Sequence, residues 1–223
     1  VVTARIEALY NVYCGSVGVD IFTQKIDGKI TAVFGGMDGS YSLLTSEGAD
    51  FEELNSYFSF LSATVFCYCD TAESLNPQSA RISELYELFK VTECVPIDGH
   101  GKVSDVYSIL KSGEDGDIAL PPFEYWYTDF CARFNHNSAE YALLDGAVAV
   151  AGFVTEYCTL ITGVATGYDG RRSGRGSRAL SVLLSNIKKK PPATRVLAAT
   201  NNAGEFYIKN GFKRIENVAV LRF

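Results

Sequence analysis

The sequence predicts a mixed α/β protein with a mixed sheet, in which hairpins of short strands alternate with amphipathic helices. Two Asp-Gly pairs, Asp27-Gly28 and Asp145-Gly146, each separate two apolar strand-like segments, and Asp-Gly favours the type I′ turn of a β-hairpin. Between residues 180 and 187 the apolar side chains recur with the helical period, which predicts an amphipathic helix. A chain of 223 residues, of which 47% are hydrophobic, can bury one large core or two modest ones.

The first 80 residues predict a hairpin, a third strand, a helix and a fourth strand. Asp50 followed by Glu53 resembles a capping box, so we expect the helix to begin there. The polar stretch 70–80, which contains Asn76-Pro77, is the best candidate for a linker. The predicted strands are 19–23, 29–34, 40–45 and 63–69.

Between the linker and residue 137 the sequence predicts mainly helix. Residues 82–90 fit either a helix or a strand, whereas the apolar positions of 103–111 favour a helix. Pro121-Pro122 can open a further helix, because proline is well tolerated in the first helical turn.

From residue 140 onward the prediction is three antiparallel strands, a helix, a strand, a short helix and one or two closing strands. Pro191-Pro192 is expected to end the first of these helices. Asn202 with Glu205 could cap the short helix, which should stop at Asn210-Gly211. The predicted strands are 140–144, 147–155, 158–166, 195–200 and the closing segment 212–223.

The two halves of the chain share an order of elements: an Asp-Gly hairpin, a third strand, a helix and a strand. They differ between the third strand and the helix, because residues 46–49 contain one glycine and no arginine, whereas 167–177 contain several of both. We therefore predict two domains, residues 1–75 and residues 80–223. The first is either a degenerate half-copy of the second or an α/β region of its own.

Positive charge is concentrated in one stretch of an otherwise acidic protein. The net charge is -6, yet residues 171–195 contain no Asp or Glu. Such a short pole fits a small polyanionic ligand, whereas duplex nucleic acid favours a broad basic face. Charge alone also leaves a solvated helix face open. The basic residues are Arg171, Arg172, Arg175, Arg178, Lys188, Lys189, Lys190 and Arg195.

The composition also bears on metals, membranes and compartment. The cysteines lie in apolar contexts without the spacing of a disulfide framework, so we expect reduced thiols and a cytoplasmic protein. Two histidines and the strand-like pair Cys67 and Cys69 are too few for a four-ligand zinc site, and we expect no metal. No apolar run approaches the ~20 residues that span a bilayer. We expect a monomer or homodimer that binds neither membrane nor nucleic acid.

The glycine-rich segment 164–177 lies between a predicted strand and a predicted helix. Glycines permit unusual φ angles, so successive backbone N–H groups can converge on an oxyanion at the helix N-terminus, where arginines add charge-assisted hydrogen bonds. The Gly-Lys-Ser/Thr of a P-loop is absent. Residues 174–179 match G-x-G-x-x-A, but seven residues separate the strand from the first glycine and no acid ends the next strand. Dinucleotide binding by an oxidoreductase is therefore disfavoured.

Two motifs resemble signatures of the GNAT superfamily of acyl-CoA-dependent N-acetyltransferases. Arg171-Arg172-Ser173-Gly174-Arg175-Gly176 matches its R/Q-x-x-G-x-G/A pyrophosphate loop, and residues 163–166 precede the loop where the superfamily has a splayed strand. Residues 202–212 resemble the second signature, an Asn-led helix that carries a tyrosine and ends in Gly-Phe. The resemblance covers about residues 80–223, and Asp169-Gly170 departs from the commoner Pro-Glu-Tyr lead-in.

The resemblance implies transfer of an acetyl group from acetyl-CoA to a primary amine by direct attack. The splayed strand would pair with pantetheine, the loop would hold the pyrophosphate, and Tyr207 would protonate the departing thiolate. The rival hypothesis is a CoA-binding sensor or structural module that performs no transfer. The implied cofactor-binding residues are Val164, Ala165, Thr166, Arg171, Arg172, Ser173, Gly174, Arg175, Gly176, Ser177 and Asn202.

The general base and the acceptor amine stay open at this stage. Glu156 and Glu140 are weak candidates for the base, because each stands near the start of a predicted strand. Tyr207 could instead be a core residue beside Phe206. The acceptor, a small molecule or a peptide, would meet residues 103–137, which carry no recognisable signature.

Overall fold

The computed structural model describes residues 1–16, 18–89, 101–113, 120–188 and 195–223, and of Lys188 only the backbone. The predicted helix stop at Pro191-Pro192, together with Lys189 and Lys190, lies outside these ranges. Within them the helices are α1 (Val2–Tyr13), α2 (Phe51–Phe60), α3 (Cys69–Glu73), α4 (Val103–Ser112), α5 (Phe123–Asn135), α6 (Arg175–Lys188) and α7 (Gly204–Lys209).

The strands of the same ranges match most of the predicted ones. Residues 82–90, which fitted either a helix or a strand, fall largely in β5, and the closing segment is one strand rather than two. The strands are β1 (Val19–Ile26), β2 (Lys29–Met37), β3 (Ser40–Thr45), β4 (Thr64–Tyr68), β5 (Ser79–Leu88), β6 (Glu140–Leu144), β7 (Ala147–Val154), β8 (Cys158–Thr166), β9 (Arg195–Thr200) and β10 (Phe212–Arg222).

The described chain divides into two compact units. Unit 1 comprises Val1–Tyr86, Ala199–Glu205 and Arg214–Phe223, and unit 2 comprises Glu87–Ala198 and Phe206–Lys213. The predicted domains, 1–75 and 80–223, stay a prediction. Unit 1 takes in more of the chain than the first of them, because it also includes the C-terminal strand.

Unit 1 is built on a mixed sheet with the strand order β1-β2-β3-β4-β10-β5. β1, β2 and β3 pair antiparallel, β4 lies parallel to β3, and β10 pairs antiparallel with β4. The Asp27-Gly28 turn has φ angles of 49° and 78°, as a type I′ hairpin requires. Buried side chains from α2 and these strands form the core, among them Phe34, Leu43, Leu54, Phe58, Val65 and Leu221.

Unit 2 repeats the same pairing scheme in its strands β9-β8-β7-β6. β6, β7 and β8 pair antiparallel, and β9 lies parallel to β8 after the crossover through α6. The Asp145-Gly146 turn again has two positive φ angles, 50° and 72°. One face of this sheet packs against α4 and α5, with a core of Val106, Tyr107, Trp126, Phe130, Ala139, Tyr141, Val148 and Val150.

Helix α6 covers the other face of unit 2, as the helical period of its leucines predicts. The side chains at the predicted spacing, together with Ala179, are buried, and the helix contacts β6, β7 and β8. These residues are Leu180, Leu183, Leu184 and Ile187.

Several sequence predictions for unit 1 were wrong in detail. The linker predicted at 70–80 contains most of α3 and the start of β5, and Thr71 within it is buried. Helix α1 was not predicted, because its polar side chains interrupt the apolar period. Asp50 does cap α2, accepting from the N–H groups of Glu52 and Glu53. The reciprocal bond of a capping box is replaced, since the Asp50 N–H donates to Gln24 Oε1 rather than to Glu53.

Candidate functional site

The site begins at the point where β8 stops pairing with β9. The parallel ladder runs from Cys158 opposite Arg195 to Ile161 opposite Ala198, and no described residue of β9 pairs with β8 beyond that point. On its other edge β8 stays paired with β7 as far as Thr166. The stretch 162–166 therefore keeps one edge of backbone N–H and C=O groups without a strand partner.

A bulge lies at this branch point. The register between β7 and β8 shifts near Ala151, which leaves Thr162 and Gly152 without a directly opposed residue. A side chain at Gly152 would lie 2.6 Å from Thr162 Oγ1, so only glycine fits there without displacing the threonine. Bulges bend a strand and increase its twist. This one gives a local cause for the departure of β8 from its parallel neighbour.

The two faces of the exposed β8 edge are covered by different helices. On the α4 side, Leu110 lies directly over Gly163, and Gly113 lies against Ala165, where an added Cβ would be 3.0 Å from that of the alanine. On the α6 side, Val164 and Thr166 face the first turn of the helix. The edge is thus a narrow slot between two helices, and its residues 163–166 are half-buried.

The connection from β8 to α6 is a loop with a strained backbone. A short 3-10 turn, Tyr168–Gly170, is followed by Arg172 with φ of 60° and Gly174 with φ of 79°. Left-handed backbone is common for glycine and infrequent for arginine, and strained residues cluster at functional sites. Nothing lies within 4 Å of a Cβ built on Gly174, so the space beside it is open.

This loop leaves a row of backbone donors at the start of α6. No hydrogen bond of standard geometry runs from the N–H groups of 172–177 to a described acceptor, although 171–174 form a turn, and the helical ladder begins with Arg178 N donating to Gly174 O at 3.1 Å. The first turn of α6 contains no acidic residue. Free N–H groups and the positive end of the helix dipole together favour an anion at this position.

Gly176 lets this helix start approach the β8 edge closely. A Cβ at this position would lie 3.3 Å from Thr166 Oγ1 and 3.7 Å from Phe206 Cε2. The structure therefore brings together the predicted residues Val164, Thr166 and Gly176, with Phe206 of α7 beside them.

The arginines of the loop serve different purposes. Arg171 Nη2 donates to the carbonyl of Ser112 at the end of α4, and Arg175 and Arg178 both contact Asp145. Arg172 is exposed, and no described acceptor lies within hydrogen-bond distance of its guanidinium. Arg172 is thus the arginine of this loop most accessible to a ligand. Arg171, Arg175 and Arg178 also make contacts within the protein. The structure does not describe the side chains of the three predicted basic residues Lys188, Lys189 and Lys190.

Tyr207 is placed on α7 next to Phe206 and is 5% exposed. Its ring packs against Phe206 and Phe212, with centroids 5.3 and 5.2 Å away. Burial raises the pKa of its phenol well above the ordinary value of 10. The hydroxyl therefore stays protonated at neutral pH, as a proton donor must, and the side chain is at the same time part of the core.

The remaining predicted residues belong to other elements. Asn202 belongs to unit 1, and its predicted cap of α7 is wrong, because Thr200 Oγ1 accepts from Ala203 N while no described hydrogen bond involves the Asn202 side chain. Glu156 is exposed in the turn between β7 and β8, at the end of β8 opposite the loop. Glu140 is buried at the start of β6, where its carboxylate accepts from Tyr141 N.

Sequence reasoning missed three residues that shape the slot: Phe206, Leu110 and Gly152. Each of them shapes the slot through a contact with a residue distant in the sequence, so no local sequence pattern predicts its role. The one available signal was the adjacency of Phe206 to Tyr207 in the second motif.

The corresponding connection of unit 1 is chemically different. There β3 stops pairing with β4 after Ser42 opposite Phe66, and a groove of about 720 Å³ lies at the ends of these strands. The groove is lined in part by Glu47, Asp70 and Glu216. The start of α2 already holds the Asp50 carboxylate, and Glu52 and Glu53 follow. Its acidic lining and filled helix terminus make the place unfavourable for an anion.

Among the described residues, no three His, Cys, Asp or Glu side chains are grouped so as to hold a metal ion. None of the described helices is both long enough and apolar enough to span a bilayer.

Comparisons with known proteins agree with this architecture. No protein-family model matches the sequence, and no curated protein matches it. Among solved structures, a GCN5-related N-acetyltransferase from Kribbella flavida is 11% identical with a TM-score of 0.64, covering 99% of this chain and 93% of that chain. A GNAT-family acetyltransferase from Colwellia psychrerythraea is 10% identical with a TM-score of 0.58, covering 100% and 96%.

A third similar structure is a tandem GNAT protein from the clavulanic acid biosynthesis pathway. It is 11% identical with a TM-score of 0.54, covering 92% of this chain and 82% of that chain. Likenesses at this identity concern the fold. The chain therefore has a GNAT fold, and its resemblance to the superfamily, first seen in two motifs, is confirmed at the level of architecture.

The geometry of the loop generates a first prediction. In a Gly174→Val, Gly176→Val double variant, one valine is forced into left-handed backbone and the other meets Thr166 and Phe206. Wild type should gain about 2.7 kcal/mol from CoA at 100 times its Kd, roughly 5 to 11 °C in Tm, and the variant should gain nothing. Thermal melting with and without CoA measures this.

The matched control is Gly48→Val, which also places valine at a positive φ, of 84°, in the strand-to-helix connection of unit 1. It should lower the Tm of the ligand-free protein but preserve the CoA shift. A Tm shift with CoA as large in the double variant as in wild type would contradict the assignment of the anion site to this loop.

Proposed function

We propose that this protein is an N-acetyltransferase that transfers an acetyl group from acetyl-CoA to a primary amine. The observation that carries the proposal is the continuity of the β8 edge with the loop before α6. A strand edge without a partner, 162–166, leads directly into six N–H groups without acceptors, 172–177. An amide-containing arm joined to a pyrophosphate is complementary to this sequence of donors and acceptors.

The pantetheine arm would extend the sheet as a further strand along β8. Its amides would exchange hydrogen bonds with the backbone of Val164, Ala165 and Thr166, in the way that β-augmentation uses an exposed strand edge. The small residues Gly163 and Ala165 let α4 pack closely against one face of the slot through Leu110 and Gly113, and Gly176 borders the other face. Asn202 stays a predicted cofactor contact.

The pyrophosphate would lie at the start of α6. The N–H groups of Arg172, Ser173, Gly174, Arg175, Gly176 and Ser177 would supply hydrogen bonds, and the exposed guanidinium of Arg172 would add a charge-assisted one. Arg171 would act from the rim of the same loop, where it is tied to Ser112.

The reaction would proceed without an acyl-enzyme. The lone pair of the neutral amine forms a bond with the thioester carbonyl carbon, the C–S bond breaks as the tetrahedral intermediate collapses, and the electron pair leaves on the CoA sulfur. Tyr207 would give its phenolic proton to that thiolate, and the phenolate would recover a proton from the amine nitrogen through the acceptor side. No described carboxylate is placed as a base in this scheme, and Glu140 and Glu156 stay weak candidates.

The raised pKa of Tyr207 bears on its role as an acid. A phenol of high pKa is a poor donor to a thiolate in water, where thiols have a pKa near 8.5. A thiolate released in a low-dielectric site would also be desolvated, which would raise the thiol pKa and restore the driving force. Proton transfer from Tyr207 therefore requires the thiolate to be released beside its hydroxyl and away from bulk water.

One observation favours the second candidate function, a CoA-binding module without transfer activity. Tyr207 is packed between two phenylalanines and almost fully enclosed, as a core tyrosine would be. An acetyl-CoA-coupled assay of thiol release with polyamines, amino acids, aminoglycosides and peptides separates the two functions. Turnover with any amine supports the acetyltransferase, and CoA binding without turnover across the classes supports the module.

A second prediction concerns stoichiometry. We expect one CoA per chain by titration calorimetry, because the unit 1 connection presents Asp50 and an acidic groove where unit 2 presents free N–H groups. Two equivalent sites per chain would contradict the assignment of the anion site to the loop of unit 2 alone.

A third prediction separates the two roles of Tyr207. Tyr207→Phe keeps the ring contacts with Phe206 and Phe212 but removes the proton, so kcat should fall about 10²-fold to 10⁴-fold while the Kd for CoA changes little. Steady-state kinetics with the acceptor found in the screen, beside a CoA titration of the same variant, tests this.

The control is Tyr41→Phe, which removes a phenol from the core of unit 1. It should reduce stability to a similar degree and leave kcat unchanged. Full activity in Tyr207→Phe would take the residue out of the mechanism.

A further inference from the structure

Both ends of the anion loop are tied to one turn, Asp145-Gly146, between β6 and β7. At the start of the loop, Gly167 N donates to Gly146 O at 2.9 Å. At its end, Arg175 Nη1 donates to the backbone carbonyl of Asp145 at 3.1 Å, and Arg178 Nη2 lies 3.1 Å from the Asp145 carboxylate. The turn therefore holds the two ends of the loop near each other, although it contributes no group to the row of free N–H donors.

The path of Arg175 shows how closely the two segments fit. A Cβ built on Gly170 would lie 2.8 Å from Arg175 Nη1 and 3.0 Å from Arg175 Cδ. The arginine side chain thus crosses the face of Gly170 to reach the Asp145 carbonyl, and the glycine is needed to let it pass. The carbonyl is held in place by the left-handed conformation of Asp145 itself, with φ of 50°.

We propose that Asp145 is a positioning residue for the CoA site, setting the conformation of the pyrophosphate-binding loop through the carbonyl and carboxylate that hold Arg175 and Arg178. This inference rests on the proposed function. It adds that the hairpin turn of β6 and β7, which touches no ligand in the proposed complex, determines affinity for the cofactor.

Simple electrostatics predicts the opposite effect. Asp145 is a negative charge close to a site for a polyanion, so removal of its carboxylate should strengthen binding by reducing repulsion and releasing the Arg178 guanidinium. If the turn instead holds the loop in its binding conformation, its loss leaves the N–H groups to be ordered at the moment of binding, and affinity falls. The two accounts predict opposite changes in the affinity for CoA when Asp145 is removed.

The side chain at 145 can be changed so as to separate charge from conformation. Asparagine tolerates left-handed backbone and keeps an oxygen that accepts from Arg178, but it carries no charge. Alanine removes both the charge and the acceptor and is disfavoured at this φ. We expect Asp145→Ala to weaken CoA binding about tenfold and Asp145→Asn to bind within about threefold of wild type.

Asp27→Ala is the matched control. Asp27 occupies the same position of a type I′ turn in unit 1, with φ of 49°, and no anion loop follows its hairpin there. Its substitution should lower the Tm about as much as Asp145→Ala does, yet leave the Kd for CoA unchanged.

Titration calorimetry of wild type and the three variants with CoA, at one fixed ionic strength, tests the proposal. Weakening confined to Asp145→Ala, with recovery in Asp145→Asn, supports it. Binding by Asp145→Ala as tight as that of wild type, or tighter, overturns it, as does equal weakening in Asp27→Ala. Absence of CoA binding by wild type would instead overturn the proposed function on which the inference rests.

Discussion

The candidate site depends on the early end of the ladder between β8 and β9. Parallel neighbours usually keep their backbone groups paired, but here the pairing ends after Ile161, next to the bulge at Thr162 and Gly152, and bulges bend a strand. The half-buried backbone beyond that point has an edge that needs hydrogen-bond partners, and buried polar groups are costly while they lack them. The same strand leads directly into the N–H groups at the start of α6. The early end of the ladder therefore places the slot next to the anion site.

The two units show how one topology can carry different electrostatics. Both have an antiparallel trio of strands, a type I′ turn of Asp-Gly, a crossover helix and a parallel fourth strand whose pairing with the third stops early. In unit 1 the helix terminus is filled by Asp50, which also ties α2 to Gln24. In unit 2 the equivalent turn holds glycine and arginine, and its N–H groups stay available. The shared topology positions a helix terminus, and the loop sequence decides whether an anion can use it.

Much of this could be predicted from the sequence, because the deciding signals are local. Asp-Gly pairs determine both hairpins, and the period of leucines determines the buried face of α6. The loop motif likewise predicted the row of donors. The predictions that were wrong or missing concern contacts between residues distant in the sequence or competition between neighbouring side chains. Gln24 displaced Glu53 from its capping role, because it accepts from the same Asp50 N–H group. At α7 the Asn202 side chain makes no described hydrogen bond, and Thr200 Oγ1 accepts from the N–H of Ala203 just before the helix. The contacts of Leu110 and Phe206 with the slot have no signature in sequence spacing.

In the proposed complex the β8 edge and the loop after it form one continuous binding surface for CoA, and amide hydrogen exchange reports on that surface directly. The N–H groups of 172–177 donate no hydrogen bond of standard geometry in the described structure, so they should exchange rapidly in the free protein. Saturating CoA should slow exchange in peptides covering 162–166 and 172–177 together, while peptides covering the unit 1 connection at 46–50 stay unchanged. Protection confined to any other part of the chain, or none at all under conditions where CoA binds, would contradict the account.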